Sequence, residues 1–125
     1  MPGLDGQKMS KSYNNTISLR ESLEVVKQKV NRMPTDPARI KLTDPGDPEK
    51  CPVWQMHQIY SSEKTQNWVK DGCMSAKIGC IECKKPIVDS IVSELEPIQE
   101  EIAKYESNPN LIQEIIFEGS ERARV

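Results

Sequence analysis

Lys8, Ser10, Lys11 and Ser12 fall within Pro2-Gly3-Leu4-Asp5-Gly6-Gln7-Lys8-Met9-Ser10-Lys11-Ser12, a run that carries glycines at its start. Two ammonium groups three residues apart can converge on a polyphosphate, while serine hydroxyls and backbone N–H groups donate to its oxygens. The chemistry on offer is charge stabilisation, not nucleophilic attack. Gly3 and Gly6 let the backbone approach a ligand closely, and the lysine stems can follow phosphate charge as it develops. These parts suit a lid that stabilises a departing pyrophosphate.

A second chemical set is Cys51, Cys73, Cys80 and Cys83, the only four cysteines, spaced C-x21-C-x6-C-x2-C. Four thiolates with a terminal C-x-x-C pair satisfy tetrahedral zinc or a cubane iron–sulfur cluster, and spacing does not choose between them. Free buried thiols and two disulfides are the plainer alternatives. A metal centre here would clamp the Cys51 end of one segment to the Cys73–Cys83 segment.

Lys8-Met9-Ser10-Lys11-Ser12, with Pro2-Gly3-Leu4-Asp5-Gly6 before it and Asn15 after it, resembles the KMSKS signature of class I aminoacyl-tRNA synthetases in its tryptophanyl form. Asp36-Pro37-Ala38-Arg39 and Asp44-Pro45-Gly46-Asp47-Pro48-Glu49-Lys50-Cys51-Pro52-Val53-Trp54 extend the resemblance along essentially the whole chain. It implies a cytoplasmic, homodimeric ligase that uses ATP with magnesium to activate tryptophan as its adenylate and transfer it to tRNA(Trp). Lys8 and Lys11 would be catalytic, stabilising pyrophosphate, and Lys8, Met9, Ser10, Lys11 and Ser12 would bind ATP, with Met9 packing rather than reacting. Some tryptophanyl-tRNA synthetases carry four cysteines at similar spacing. The resemblance therefore implies a four-iron four-sulfur cluster on Cys51, Cys73, Cys80 and Cys83, with zinc as second choice. Lys77, Lys84 and Lys85, beside those cysteines, would face tRNA.

Other parts of such an enzyme are missing from the sequence. The only histidine, His57, lies in Met56-His57-Gln58-Ile59 and cannot form a HIGH-type motif. No GxGxxG or Walker-type turn occurs. The chain reads as the C-terminal part of a synthetase that starts just before its KMSKS loop, catalytic only within the intact enzyme. The alternative is a non-enzymatic, metal-dependent RNA-binding or interaction module.

The 125 residues carry 36% hydrophobic residues and a formal net charge of −2. Charge is uneven: residues 1–32 hold six basic and three acidic residues, whereas 87–125 hold three basic and nine acidic. The basic end suits phosphates, and the acidic end cannot be a broad phosphate-binding face. No long apolar run, secretory h-region or basic leader points to a membrane or to export.

The elements that must position these residues are helical. Ser18 and Glu21 predict a capping box for a helix bearing Leu19, Leu23, Val26 and Val30 and ending near Arg32. Five prolines within 34–52 exclude a long regular element there. Val53–Tyr60 predicts a short helix, and Ser62 opens another that stops at Gly72. Ile87, Ile91, Leu95, Ile98, Ile102 and Tyr105 form one stripe of a helix over about 85–106, kinked near Pro97. Asn108 and Pro109 start a helix with Leu111, Ile112, Ile115 and Ile116 inward, and Ser120 reads as the start of one more. Trp54 and Trp68 read as core.

The expected fold class is mainly α: a KMSKS loop followed by a helical-bundle anticodon-binding domain with a four-cysteine metal site, the nucleotide-binding α/β half being missing. The expected division is 1–33 for the loop and following helix, 34–52 for the connector, and 53–125 for the anticodon-binding domain, truncated at its C-terminus.

Overall fold

Hydroxyl and amide side chains set most of the helix starts in the computed structural model, which describes residues 1–125. Helix α1 spans Leu23–Asn31, and Ser22 Oγ accepts from Val25 N at 3.3 Å. Its start lies later than the predicted one because Ser18 Oγ turns to Arg20 N and Glu21 pairs with Lys29 instead of closing a capping box. Helix α2, Pro52–Tyr60, begins on a proline that loses no helical bond at that position. Helix α3 covers Glu63–Met74, capped by Ser62 as predicted.

The predicted stop at Gly72 does not occur. Gly72 is buried in α3, where a Cβ would come within 2.9 Å of the Ile78 side chain, so its smallness admits that side chain. The chain reverses instead through Ala76, held at φ 55°. Helix α4, Cys80–Glu106, starts before the predicted residue 85 and continues through both Pro86 and Pro97. Helix α5, Pro109–Ala123, is capped by Asn108, whose Oδ1 accepts from Leu111 N. Ser120 lies inside α5, its hydroxyl donating to Ile116 O, and starts no further helix. The one β-type pairing is an isolated antiparallel bridge between Pro2 and Lys8.

α4 is the spine, packed on α1, α2, α3 and α5. Val26 and Val30 of α1 meet Met33, Val53 and Met56, and Ile87, Val88, Ile91 and Leu95 of α4, in one core. The mainly helical character agrees with expectation, but the helices after residue 52 do not form a bundle apart from the loop-bearing segment. They fill the same core as α1. Lys84 strengthens that union: it is 3% exposed, and its Nζ donates to Asn31 O and Met33 O at 2.7 and 2.8 Å. It thereby satisfies the carbonyl end of α1.

The apolar stripe of α4 is buried only along its first half, and Tyr105 is exposed. Ile112, Ile115 and Ile116 of α5 were expected inward, yet all three are exposed, with Phe117 beside them at 68%. α5 packs chiefly on α4, and Ile112, Ile115, Ile116 and Phe117 stay on its uncovered face. No helix is long and apolar enough to cross a membrane.

Truncating Ile87, which is fully buried, to alanine should lower stability by about 2–5 kcal/mol. Ile116→Ala on the exposed face should change it by less than about 0.5 kcal/mol. Chemical denaturation checks both, and equal costs would contradict the core described here.

Candidate functional site

Residues 1–17 form a fastened loop. Pro2 pairs with Lys8, Met9 N donates to Met1 O at 3.1 Å, and the turn between them uses Gly6 at φ 83°. Ser10 Oγ accepts from Ser12 N at 3.2 Å and opens a 3-10 turn over Lys11–Tyr13, which closes on Asn14 at φ 51°. Asn15 sits inside the loop, 3% exposed: Oδ1 accepts from Ser10 N, while Nδ2 donates to Asp5 Oδ1 and to Lys8 O. The bond from Asn15, helped by one from Gln7 N, holds the Asp5 carboxyl below its ordinary value.

Lys8, Lys11 and Ser12 are exposed, and neither lysine takes part in an ion pair. Met9 turns the other way and lines an apolar cavity of about 280 Å³ with Ile17, Met56 and Leu95. The loop thus offers two free ammonium groups on a braced backbone, an arrangement suited to a multiply charged anion.

The four cysteines line one small cavity of about 20 Å³ together with Thr35, Asp36, Arg39 and Val53. All four are free thiols. Arg39 crosses the cavity wall: its guanidinium donates to Ile78 O at 2.7 Å and Leu42 O at 3.0 Å, and lies 3.9 Å from Cys80 Sγ. His57, fully buried, donates from Nε2 to Cys83 O at 3.0 Å, which leaves Nδ1 to accept from Ser61 Oγ at 2.7 Å.

Burial, then the neighbouring thiols, pushes the Cys83 thiol up to about 12. Burial also raises Cys73 and lowers His57. Cys83 Sγ and His57 Nε2 are 3.4 Å apart, but a neutral imidazole beside a protonated thiol is not an activated nucleophile.

The expected four-cysteine metal site is not formed. No group of three or more His, Cys, Asp or Glu side chains could hold a metal ion. Tetrahedral ligation needs thiolates converging at about 2.3 Å on one point; here the thiols are spread over the walls of a shared cavity. Neither zinc nor a four-iron four-sulfur cluster is supported by this arrangement. The metal-dependent RNA-binding module loses its basis with it.

Among the lysines expected to face tRNA, Lys77 and Lys85 are exposed. Lys84 is not available, because both of its donor contacts are spent on α1 carbonyls in the interior. Trp54 is buried as expected, its ring centroid 6.4 Å from that of His57. Trp68 is 41% exposed, since α3 turns Val69 and Gly72 to the interior. The sequence alone gave neither Asn15 nor Arg39 a role of its own. The Asn14-Asn15 pair directly after the loop was the available signal for the first. Nothing local marked the second, whose partners lie up to 41 positions away.

The family model for class I tRNA synthetases (W and Y) matches residues 1–96. The chain is 58% identical over 123 residues to a tryptophan–tRNA ligase of Ralstonia nicotianae, covering 98% of the chain and 31% of that protein. It is 46% identical to the ligase of Thermotoga maritima, covering 99% of the chain and 38% of that protein. The chain therefore spans about a third of these curated relatives. Among solved structures it superposes with a TM-score of 0.85 and 27% identity on tryptophanyl-tRNA synthetase from Campylobacter jejuni complexed with ADP and tryptophan, covering 98% of the chain and 38% of that structure. The family match passes unbroken from the loop through α1, α2, α3 and much of α4. That continuity overturns the expected separate anticodon-binding domain.

The thiolate is the reacting form, so Cys83 should label with iodoacetamide much more slowly in reduced native protein at pH 8 than after unfolding. The sign for stability follows: an unfolded Cys83 loses its proton near the ordinary 9.0 and the native one near about 12. Its contribution is complete below pH 9 and lost as pH climbs toward 12. Peptide mapping by mass spectrometry measures the labelling, and equal native and unfolded rates at pH 8 would refute the shift.

Proposed function

The chain belongs to the class I tRNA synthetases (W and Y), and from that membership we propose that it is part of a tryptophan–tRNA ligase that uses ATP to charge tRNA(Trp). What supports tryptophan as the amino acid is the identity to ligases named for it and the likeness to a synthetase structure complexed with ADP and tryptophan. The observation that carries the role of this segment is the loop itself, where Lys8 and Lys11 are exposed and outside every ion pair on a backbone braced by Asn15.

In the first half-reaction a tryptophan carboxylate oxygen attacks the α-phosphorus of ATP. The bond from that phosphorus to the bridging oxygen breaks, and pyrophosphate departs with the accumulated charge. Lys8 and Lys11 meet that charge as it builds on the leaving group, and only interactions that strengthen at this stage raise the rate of the step. Ser10 and Ser12 supply hydroxyl donors, and Met9 anchors the loop to the apolar cavity beneath it. In the second half-reaction a terminal ribose hydroxyl of tRNA(Trp) attacks the acyl carbon and AMP leaves. Lys77 and Lys85, both exposed, are the proposed contacts to tRNA phosphates in this segment.

Lys8→Ala or Lys11→Ala in the intact ligase should slow adenylate formation on the order of 100-fold while leaving tryptophan affinity nearly unchanged. Single-turnover kinetics and equilibrium binding separate the two quantities. Equal losses in both would contradict the lid role.

A further inference from the structure

We propose that Asn15 is a positioning residue for the reaction, a strap that sets the direction of Lys8 and Lys11 without touching substrate. The proposal rests on the ligase reading above. Its carboxamide grips the backbone on both sides of Met9: Oδ1 accepts from Ser10 N at 2.8 Å, and Nδ2 donates to Lys8 O at 3.1 Å. Two such bonds act like one rung of a strand pairing made by a side chain. They fix the peptide following Lys8 and the peptide preceding Ser10. Because Ser10 caps the turn that contains Lys11, the orientation of the second lysine depends on the same bonds.

A third bond anchors the strap. Asn15 Nδ2 donates to Asp5 Oδ1 at 2.8 Å, and the same carboxylate oxygen accepts from Gln7 N at 3.0 Å. The lowered pKa of Asp5 keeps that acceptor ionised. The space is closed as well, for a Cβ on Gly3 would run into the Asn15 side chain. No other residue type of this size supplies one acceptor and two donors in a plane. Aspartate would place a second carboxylate against Asp5 and Lys8 O, and leucine would leave Ser10 N and Lys8 O without partners.

The experiment uses the intact ligase and compares Asn15→Asp, Asp5→Asn and the double variant in tryptophan-dependent ATP–pyrophosphate exchange. Asn15→Asp is expected to lower kcat on the order of 100-fold, the scale of a misplaced catalytic group, with the KM for tryptophan changed by less than about twofold. In the double variant the asparagine at position 5 can donate to the aspartate at position 15, which still accepts from Ser10 N. It should recover about tenfold of the loss. Tryptophan binding by equilibrium dialysis verifies that each variant is folded, and an Asn15→Asp protein that does not bind is replaced by Asn15→Ser, expected to show the same split. A wild-type kcat in Asn15→Asp, equal changes in kcat and KM, or no recovery in the double variant would overturn the proposal alone. No tryptophan-dependent exchange in the wild-type enzyme would overturn the ligase reading and this inference together.

Discussion

The Lys84 ammonium, buried against the carbonyl end of α1, is the contact on which the arrangement of this chain depends. Removing a lysine charge from water is costly, and burial holds its pKa below the usual value. The return is geometric. Two short bonds fix the end of α1 to a point on α4 more than 50 positions away. α1 in turn carries the loop, because Lys29 donates to Thr16 O at 3.0 Å and pairs with Glu21. One path from α4 to the KMSKS loop therefore runs through a buried charge and a helix, with apolar packing of Val26 and Val30 between them.

The connector between α1 and α2 shows how a proline-rich segment acquires a definite shape without ladder hydrogen bonds. Asp36, buried, accepts from Ala38 N at 3.0 Å and Asp47 N at 2.8 Å, so its two oxygens tie the ends of the connector together. Those bonds hold its carboxyl below the ordinary range. Gly46 N donates to Cys73 O, and Arg39 reaches Ile78 O beyond the end of α3. The cysteine cavity is thus also the seam where the connector meets the α3–α4 turn. Its polar fastening is supplied by Arg39 and backbone groups, with four protonatable thiols filling the space between.

Much of the local structure was legible in the residues. Ser62, Asn108-Pro109 and Pro52 mark helix starts through chemistry that operates within one turn. The loop was legible for the same reason, since its charges, hydroxyls and glycines lie within a dozen positions. What escaped depends on distant partners. Ser18 lost its cap because Glu21 found Lys29, and Gly72 stayed helical because Ile78 needed its missing Cβ. Lys84 read as a phosphate contact because nothing local showed the α1 carbonyls waiting for it. The thiol pattern indicated that the four cysteines would share one region, which they do as the lining of a single cavity, but not that this lining would fall short of a metal centre. The stripe on α5 gave correct periodicity and no information about what it would meet.

α4 is buried along its first half and projects beyond the core along its second. From Val88 to Glu106 the axis advances about 27 Å at the rise of an α-helix. A tilt of about 5° at the buried end would displace the far end by roughly 2 Å by that same geometry. The far half is not free to swing alone: Gln99 Nε2 donates to Leu19 O and Glu21 O, and Glu106 pairs with Arg20 at 3.2 Å. α4 is therefore a lever arm whose outer end is tethered to the residues immediately after the loop, so a small rotation at the thiol-lined end would be delivered, magnified, to the loop's trailing edge.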